Sequence, residues 1–323
     1  MNCADVNRYG QETAVGLGEM QKRFGGGKMI SRGFGSWLDL LFATLLFALL
    51  GAVLAGCGQE SRQAEEESSP AEVLEPVGFC QGDRLFGRPT PNTGLSEEMC
   101  SPLCPECDDG DFAPPPYDEA FLEELKSWRL LDPPPALDGN PYEEPESWPL
   151  DEVSVCAVRV VDAEERTYRL ETWSSAEEAA AEGAIMTHEG ACGLCSDLQS
   201  LALYAEVGDL TQPVRDCGVQ AMVHGGERGR ECLAEIGFNE SCADIWYWNT
   251  VNTREHCQSI CMELFNEPYH HPDGTLNDCL QCDEDISGPV FKAVAGRTRR
   301  NSGLATALCR PCDEVRPLRH EYR

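Results

Sequence analysis

Cysteine is the residue type that most limits how this chain can fold. Sixteen of its 18 cysteines lie between Cys80 and Cys312, and sixteen is an even number. In an oxidising compartment such a set forms up to about eight disulfides, whereas in a reducing compartment the same thiolates bind metal, most often zinc. The compartment therefore decides between two kinds of core, and the N-terminal segment determines the compartment.

An apolar run at residues 40–57 points to export. It holds about fifteen apolar residues, which fits the h-region of a signal peptide better than a membrane-spanning helix. Its last four residues, Leu-Ala-Gly-Cys, resemble the lipobox of bacterial lipoproteins. The resemblance implies that Cys57 becomes a lipidated N-terminus carrying acyl chains such as palmitate, and Gly58 after it implies the outer membrane. The alternative is a single uncleaved N-terminal transmembrane anchor.

Changes in composition divide the chain into four predicted segments. An acidic, serine-rich stretch follows the lipobox, and a proline-rich stretch ends near Leu150. The segments are a signal peptide at 1–56 with Met29 as a possible true start, a lipidated disordered acidic tether at 57–77, a small cysteine- and proline-rich region with one amphipathic helix at 78–150, and a main cysteine-rich domain at 151–323.

Within these segments, hydrophobic periodicity predicts the secondary structure. In the small region, residues 118–131 have helical spacing, and its four cysteines, the first Cys80 and the last Cys107, are expected to form a local disulfide knot. In the main domain, alternation over 153–172 predicts a hairpin, and mostly helical patterns follow from Ser196. We therefore predict an α+β fold, a helix-rich disulfide-stabilised domain with a small antiparallel sheet.

The charge of the chain bears on its partners. It has 25 Lys plus Arg against 56 Asp plus Glu, a net charge of −31, so its field repels nucleic acid. The predicted contacts are the membrane through the N-terminal lipid, and an envelope or extracellular protein or small-molecule ligand. One basic cluster stands out in this acidic sequence, and it consists of Lys292, Arg297, Arg299 and Arg300. We expect these residues either to bind an anion or to pair with the chain's own carboxylates, and the second interpretation is favoured.

Cys192 and Cys195 form the strongest local motif, a CxxC pair preceded by His188 and followed by a predicted helix. A helix N-terminus stabilises a thiolate, as redox or nucleophilic cysteines require. The order of elements resembles the start of a thioredoxin fold, in which Cys192 would attack. Residues 190–195 also resemble the segment around the nucleophile of papain-like proteases, in which Cys195 would attack. A structural disulfide is the favoured interpretation of the pair.

Two further CxxC pairs, Cys279 with Cys282 and Cys309 with Cys312, have the ligand types of a zinc site. After export, disulfides are favoured over zinc at these cysteines. No CxxC is followed by histidine, which disfavours covalent haem attachment, and we predict no cofactor.

These features together favour a lipid-anchored, disulfide-rich binding or structural module outside the cytoplasm. Its central and C-terminal motifs look similar to uncharacterised cysteine-rich exported proteins. The alternative function is that of an envelope thiol-disulfide oxidoreductase using Cys192 and Cys195, and a cysteine protease-like enzyme ranks below it.

Overall fold

Residues 80–107 and 110–322 are described in the computed structural model of the chain. The predicted signal peptide, the lipobox with Cys57, the alternative start at Met29 and the whole of the tether lie outside these residues. The described residues belong to one compact unit, and the boundary near Leu150 stays a prediction. No helix in the described part of the chain is long and apolar enough to cross a membrane.

Eight disulfides pair all sixteen cysteines from Cys80 onwards, which confirms the disulfide-stabilised fold class. Six of them join residues close in sequence: Cys80–Cys107, Cys156–Cys192, Cys195–Cys242, Cys217–Cys232, Cys257–Cys282 and Cys261–Cys279. The other two, Cys100–Cys309 and Cys104–Cys312, connect the N-terminal region to the C-terminal end. The prediction of a local knot is therefore right for Cys80–Cys107 and wrong for Cys100 and Cys104.

Short strands surround these two long-range bridges. Strand β1 (Leu85–Phe86) pairs in parallel with β2 (Cys100–Ser101) and antiparallel with the C-terminal strand Arg310–Pro311. Strands β3 (Cys104–Cys107) and β4 (Gly110–Phe112) form a separate antiparallel pair. Strands this short bury little apolar surface, so the bridges supply much of what holds this region together.

Helix α1 (Glu119–Ser127) is the amphipathic helix predicted over 118–131. The Asp118 side chain accepts a hydrogen bond from Phe121 N and caps its N-terminus, and the helix buries Leu122 and Leu125. It ends earlier than predicted because Trp128 adopts an extended conformation, and strand β5 (Arg129–Leu130) then pairs in parallel with a later strand.

The main sheet has the order β5-β7-β6-β8. Strands β6 (Val155–Asp162) and β7 (Thr167–Trp173) form the predicted hairpin, and β8 (Ile185–Glu189) pairs antiparallel with β6. Helix α2 (Ala176–Ala181) connects β7 to β8, and the Ser175 side chain caps its N-terminus. The sheet is antiparallel except for the β5 edge.

Six helices complete the described fold. The core they share with the sheet is built around leucines of α3 and includes Leu198 and Leu201, neither of which is exposed. The longest, α6, is capped at its N-terminus by the side chain of Asn239. The helices are α3 (Leu198–Glu206), α4 (Thr211–His224), α5 (Gly226–Ile236), α6 (Glu240–Glu263), α7 (Asp278–Ile286) and α8 (Gly288–Ala295).

Helix α8 ends at Ala295 because Gly296 terminates it. This residue has φ of +72°, and a Cβ there would lie 2.5 Å from Gly193 N and 2.8 Å from Ala191 O. Only glycine fits so close an approach in this conformation. The chain then turns inward, and this turn buries Arg297.

Candidate functional site

The CxxC pair at Cys192 and Cys195 is not joined to itself. Cys192 is bonded to Cys156 of β6, and Cys195 is bonded to Cys242 of α6. A thiol-disulfide oxidoreductase requires a bridge within such a pair or two free thiols, and a cysteine nucleophile requires a free thiol. Neither arrangement is present here. The two cysteines link the loop before α3 to β6 and to α6. This is a structural role for the disulfides, which was the favoured interpretation.

His188 lies beside this loop, but it is fully buried. Its Nε2 is 2.7 Å from Ser196 Oγ and its Nδ1 is 2.8 Å from Glu189 O. Burial, reinforced by the positive charge of Arg297, lowers the pKa of His188 well below its ordinary value. The Ser196 hydroxyl also accepts a hydrogen bond from Gly193 N. This histidine and serine therefore hold the loop together, with no solvent contact through which a substrate would reach them.

The cysteines considered as zinc ligands are all in disulfides. Cys279 and Cys282 of α7 bond to α6, and Cys309 and Cys312 bond to the N-terminal region. Across residues 80–107 and 110–322, no group of three or more histidine, cysteine or acidic side chains is arranged to hold a metal ion. The favoured disulfide interpretation is thus the one that the structure shows.

The basic cluster is divided between two environments. Arg297 is fully buried and donates to the carbonyl oxygens of Thr187, Cys195 and Ser196. Arg299 donates to the carbonyl oxygen of Gly208 at 3.0 Å. The expectation of acidic partners is wrong for these two arginines, because each satisfies backbone carbonyls instead.

Lys292 and Arg300 do pair with the chain's own acids, as the favoured interpretation expected. Both contact Glu284 of α7, Lys292 at 3.5 Å and Arg300 at 2.8 Å. These two residues and Arg299 line a common cleft, whereas Arg297 does not. The four side chains therefore do not form a single anion site.

The cleft has a volume of about 350 Å³ and is mainly apolar. This volume lies at the lower end of the range of about 300–1,000 Å³ that is typical of small-molecule sites. Four helices and the segment 298–310 form its walls. The apolar lining residues are Leu210, Val214, Val219, Met222, Trp246, Met262, Phe265, Leu280, Phe291 and Leu308.

The walls of the cleft are fixed by covalent and aromatic contacts. Two disulfides, Cys257–Cys282 and Cys261–Cys279, join α6 to α7, since Cys257 and Cys261 are one helical turn apart and lie on the same face of α6. Trp246 of α6 packs against Phe291 of α8 with ring centroids 4.8 Å apart. These contacts hold the cleft open in the free protein, so little free energy is needed to form it when a ligand binds.

Two adjacent acids of α7 have pKa values that shift in opposite directions inside the cleft. Burial opposes ionisation of Glu284, but Arg310, Arg300 and Lys292 outweigh it and hold the pKa of Glu284 below its ordinary value. Burial raises the pKa of Asp283, which accepts a hydrogen bond from Asn249 Nδ2 at 3.1 Å. Glu284 thus already has three cationic partners within the fold.

Sequence reasoning did not identify three further basic residues of the cleft, Arg215 of α4, Arg254 of α6 and Arg310. Arg215 and Arg254 are 39 positions apart, and each lies on a helix with no recognisable motif. No sequence signal marks them, because the exposure of apolar side chains on the same helices, Met222 at 44 % and Met262 at 57 %, is visible only in the structure.

Comparisons with known proteins reach only part of this site. A family model described as "Family of unknown function (DUF8771)" matches residues 226–317. The matched range begins at α5 and includes the cleft walls formed by α6, α7 and α8, whereas α4 precedes it. No curated protein and no solved structure matches the chain. What the cleft does must therefore be argued from its own residues.

Proposed function

We propose that this chain is an extracytoplasmic binding module, attached to the membrane through lipid on Cys57, whose cleft takes up a small, mainly apolar ligand. The observation that carries the proposal is the preformed apolar cleft between α4, α6, α7 and α8. The eight disulfides support the compartment, because such sets persist outside the reducing cytoplasm.

The exposed rim of the cleft supports uptake of a ligand rather than a purely structural role. Met222 and Met262 lie on two different walls and keep about half of their surface in water. Exposed large apolar side chains around a concave site commonly mark binding surfaces, and methionine adapts its shape to different ligands. A ligand that covers these side chains would remove their apolar surface from water.

The methionine methyl groups provide a direct test of this binding. In the full-length chain in nanodiscs, with 13C-labelled methionine methyl groups, we expect octan-1-ol or octanoate to shift the NMR signals of Met222 and Met262 saturably. Met99 is 39 % exposed and does not line the cleft, so its signal should not move. Because Met99 is exposed to a similar extent, it is an internal control for unspecific contact.

A plugging variant and a matched control complete the test. Val219→Trp should fill the cleft and abolish the shifts, whereas Val153→Trp, at a position that is 83 % exposed and outside the cleft, should not. If neither ligand gives a saturable shift, or if Met99 responds as Met222 does, the binding proposal is wrong.

Attachment through Cys57 has its own test. Peptide mass spectrometry of the membrane-extracted protein should find an N-terminal peptide that begins at acylated Cys57, because the lipobox resemblance places the cleavage before this residue. The Cys57→Ser variant should lose the acyl modification completely, since it lacks the thiol. An unmodified Cys57 in a peptide continuous with Leu54 would instead support the uncleaved transmembrane anchor.

A further inference from the structure

We infer that the ligand of the cleft is an amphiphile with one anionic head group, and that Arg215 and Arg254 bind this head group. The inference rests on the proposed function, because it names the chemical class of the ligand for the same cleft. It concerns a small molecule with an apolar body and a carboxylate or a phosphate at one end.

The charge of the cleft is opposite to that of the chain. Six basic side chains line it against two acidic ones, Asp283 and Glu284, although acids outnumber bases 56 to 25 in the whole sequence. In so acidic a protein, a concave surface with a basic majority concentrates anions and disfavours cations. The basic residues are Arg215, Arg254, Lys292, Arg299, Arg300 and Arg310.

Four of these six cations are already engaged. Lys292, Arg300 and Arg310 all contact the carboxylate of Glu284, and Arg310 does so at 2.5 Å. Arg299 donates to the carbonyl oxygens of residues 207 and 208, and burial lowers its pKa to about 10. These four residues therefore already have partners within the fold.

Neither of the other two cations forms an ion pair with a described residue, and the carboxylates of Asp209, Asp216 and Asp283 act on Arg215 only from a longer distance. Arg254 makes no hydrogen bond, ion pair or ring contact with any residue that the structure describes. Arg215 donates to Cys279 Sγ at 3.6 Å and lies over the ring of Tyr269, and no described carboxylate comes within 4.0 Å of it. Both guanidinium groups thus have hydrogen-bond donors left for a ligand.

The helix packing places these two arginines on two walls of the same cleft. On α6, residues 250, 254, 258 and 261 follow one another at helical spacing, and all line the cleft. Helix α4 approaches this stripe at both ends, since Gly218 faces Thr250 and Arg215 contacts the Cys261–Cys279 bridge. Arg254 lies on the stripe between these two points, on the wall that faces α4.

This pair suits one anion better than any other occupant. Two guanidinium groups that line one cleft, neither of them in an ion pair, keep N–H donors free, and an anionic head group accepts charge-assisted hydrogen bonds from such donors. A neutral apolar molecule would leave these donors unused, and a cation would be repelled by the basic majority of the cleft. The apolar lining on either side accommodates the rest of the ligand.

The methionine NMR experiment, repeated with four ligands, tests this inference. We expect octanoate or octyl phosphate to bind the full-length chain at least about tenfold more tightly than octan-1-ol, which is the effect of one charge-assisted hydrogen bond. Octylammonium should bind most weakly. The order of the two anions tells whether the head group is a carboxylate or a phosphate, and either order supports the inference.

Charge variants show which residues carry the effect. Arg254→Gln should weaken binding of the anion about tenfold and leave octan-1-ol binding unchanged, and Arg254→Lys should retain part of the preference. Arg228→Gln is the matched control, since Arg228 pairs with Glu231 and Glu235 and does not line the cleft. It should leave anion binding unchanged.

Two failures are distinguishable. If octan-1-ol and the anions bind equally well, or if octylammonium binds best, the anionic head group is wrong while the cleft remains a binding site. An equal loss in Arg254→Gln and Arg228→Gln would also overturn the role of this pair. If none of the four ligands binds, the proposed function itself fails.

Discussion

Removing both long-range disulfides, Cys100–Cys309 and Cys104–Cys312, is expected to lower the free energy of unfolding by about 8 kcal/mol, whereas removing either one alone should cost about 2–3 kcal/mol. The two bridges connect the same parts of the chain, with sequence separations of 209 and 208 residues. The first bridge to form closes a very long loop, and the second closes only the small ring between the two bridges. Either bridge alone therefore retains most of the entropic benefit.

This loss would approach the total stability of an ordinary domain, which is about 5–15 kcal/mol. All four cysteines are buried, so alanine replaces them with the least change in polarity. Urea unfolding, followed by tryptophan fluorescence, measures the three variants: Cys100→Ala with Cys309→Ala, Cys104→Ala with Cys312→Ala, and all four substitutions together.

A bridge elsewhere in the fold provides a control in which the effects of two removals on stability should add. Cys217–Cys232 joins α4 to α5 over 15 residues and should contribute about 3 kcal/mol. Its removal together with Cys100–Cys309 should cost the sum of the two single effects, because the bridges close independent loops. If removal of both long-range bridges also equals the sum of its single effects, the shared-loop explanation fails.

The local parts of this architecture were predictable from the sequence, and the long-range parts were not. The β6–β7 hairpin follows from alternation, and the bridges from Cys257 and Cys261 to a neighbouring helix follow from their one-turn spacing. Nothing in the spacing of Cys100 and Cys309 identifies them as partners, because sixteen cysteines allow too many pairings.

The candidate site was beyond sequence reasoning for the same reason. Arg215 and Arg254 line the same cleft only because α4 packs across α6, and neither helix carries a motif that predicts this packing. Arg297 was expected to meet an acid or an anion, since acids are abundant. The structure satisfies it with carbonyl groups, which every residue carries and which sequence patterns therefore do not reveal.

Arg297→Met is expected to destabilise the protein by about 4 kcal/mol, because several buried carbonyl groups would lose their hydrogen-bond donor. Thr187 is the extra residue in a β-bulge of β8, since the pairing with β6 shifts between Met186 and His188. Arg297 Nη1 donates to Thr187 O at 2.8 Å, and Nη2 donates to Thr187 Oγ1 at 2.6 Å. The guanidinium thus donates hydrogen bonds to the acceptors of Thr187, the residue that the bulge leaves out of the pairing with β6.

The same side chain connects this bulge to the loop before α3. Its Nε donates to Cys195 O at 3.2 Å, and its Nη2 donates to Ser196 O at 2.8 Å. Burial lowers the pKa of Arg297, yet an arginine stays protonated in proteins, so the charge is held by carbonyl and hydroxyl dipoles alone. Arg297→Lys should also be strongly destabilising, because an ammonium group cannot reach all these acceptors.

Urea unfolding of these variants separates the role of Arg297 from a general effect of losing an arginine. Arg254→Met removes the same atoms at a half-buried position without described partners, and it should change the free energy of unfolding by less than about 0.5 kcal/mol. If Arg297→Met and Arg254→Met lower stability equally, the hydrogen bonds to residues 187, 195 and 196 contribute nothing specific. If Arg297→Lys retains full stability, the charge and not the planar fork of donors is what this site requires.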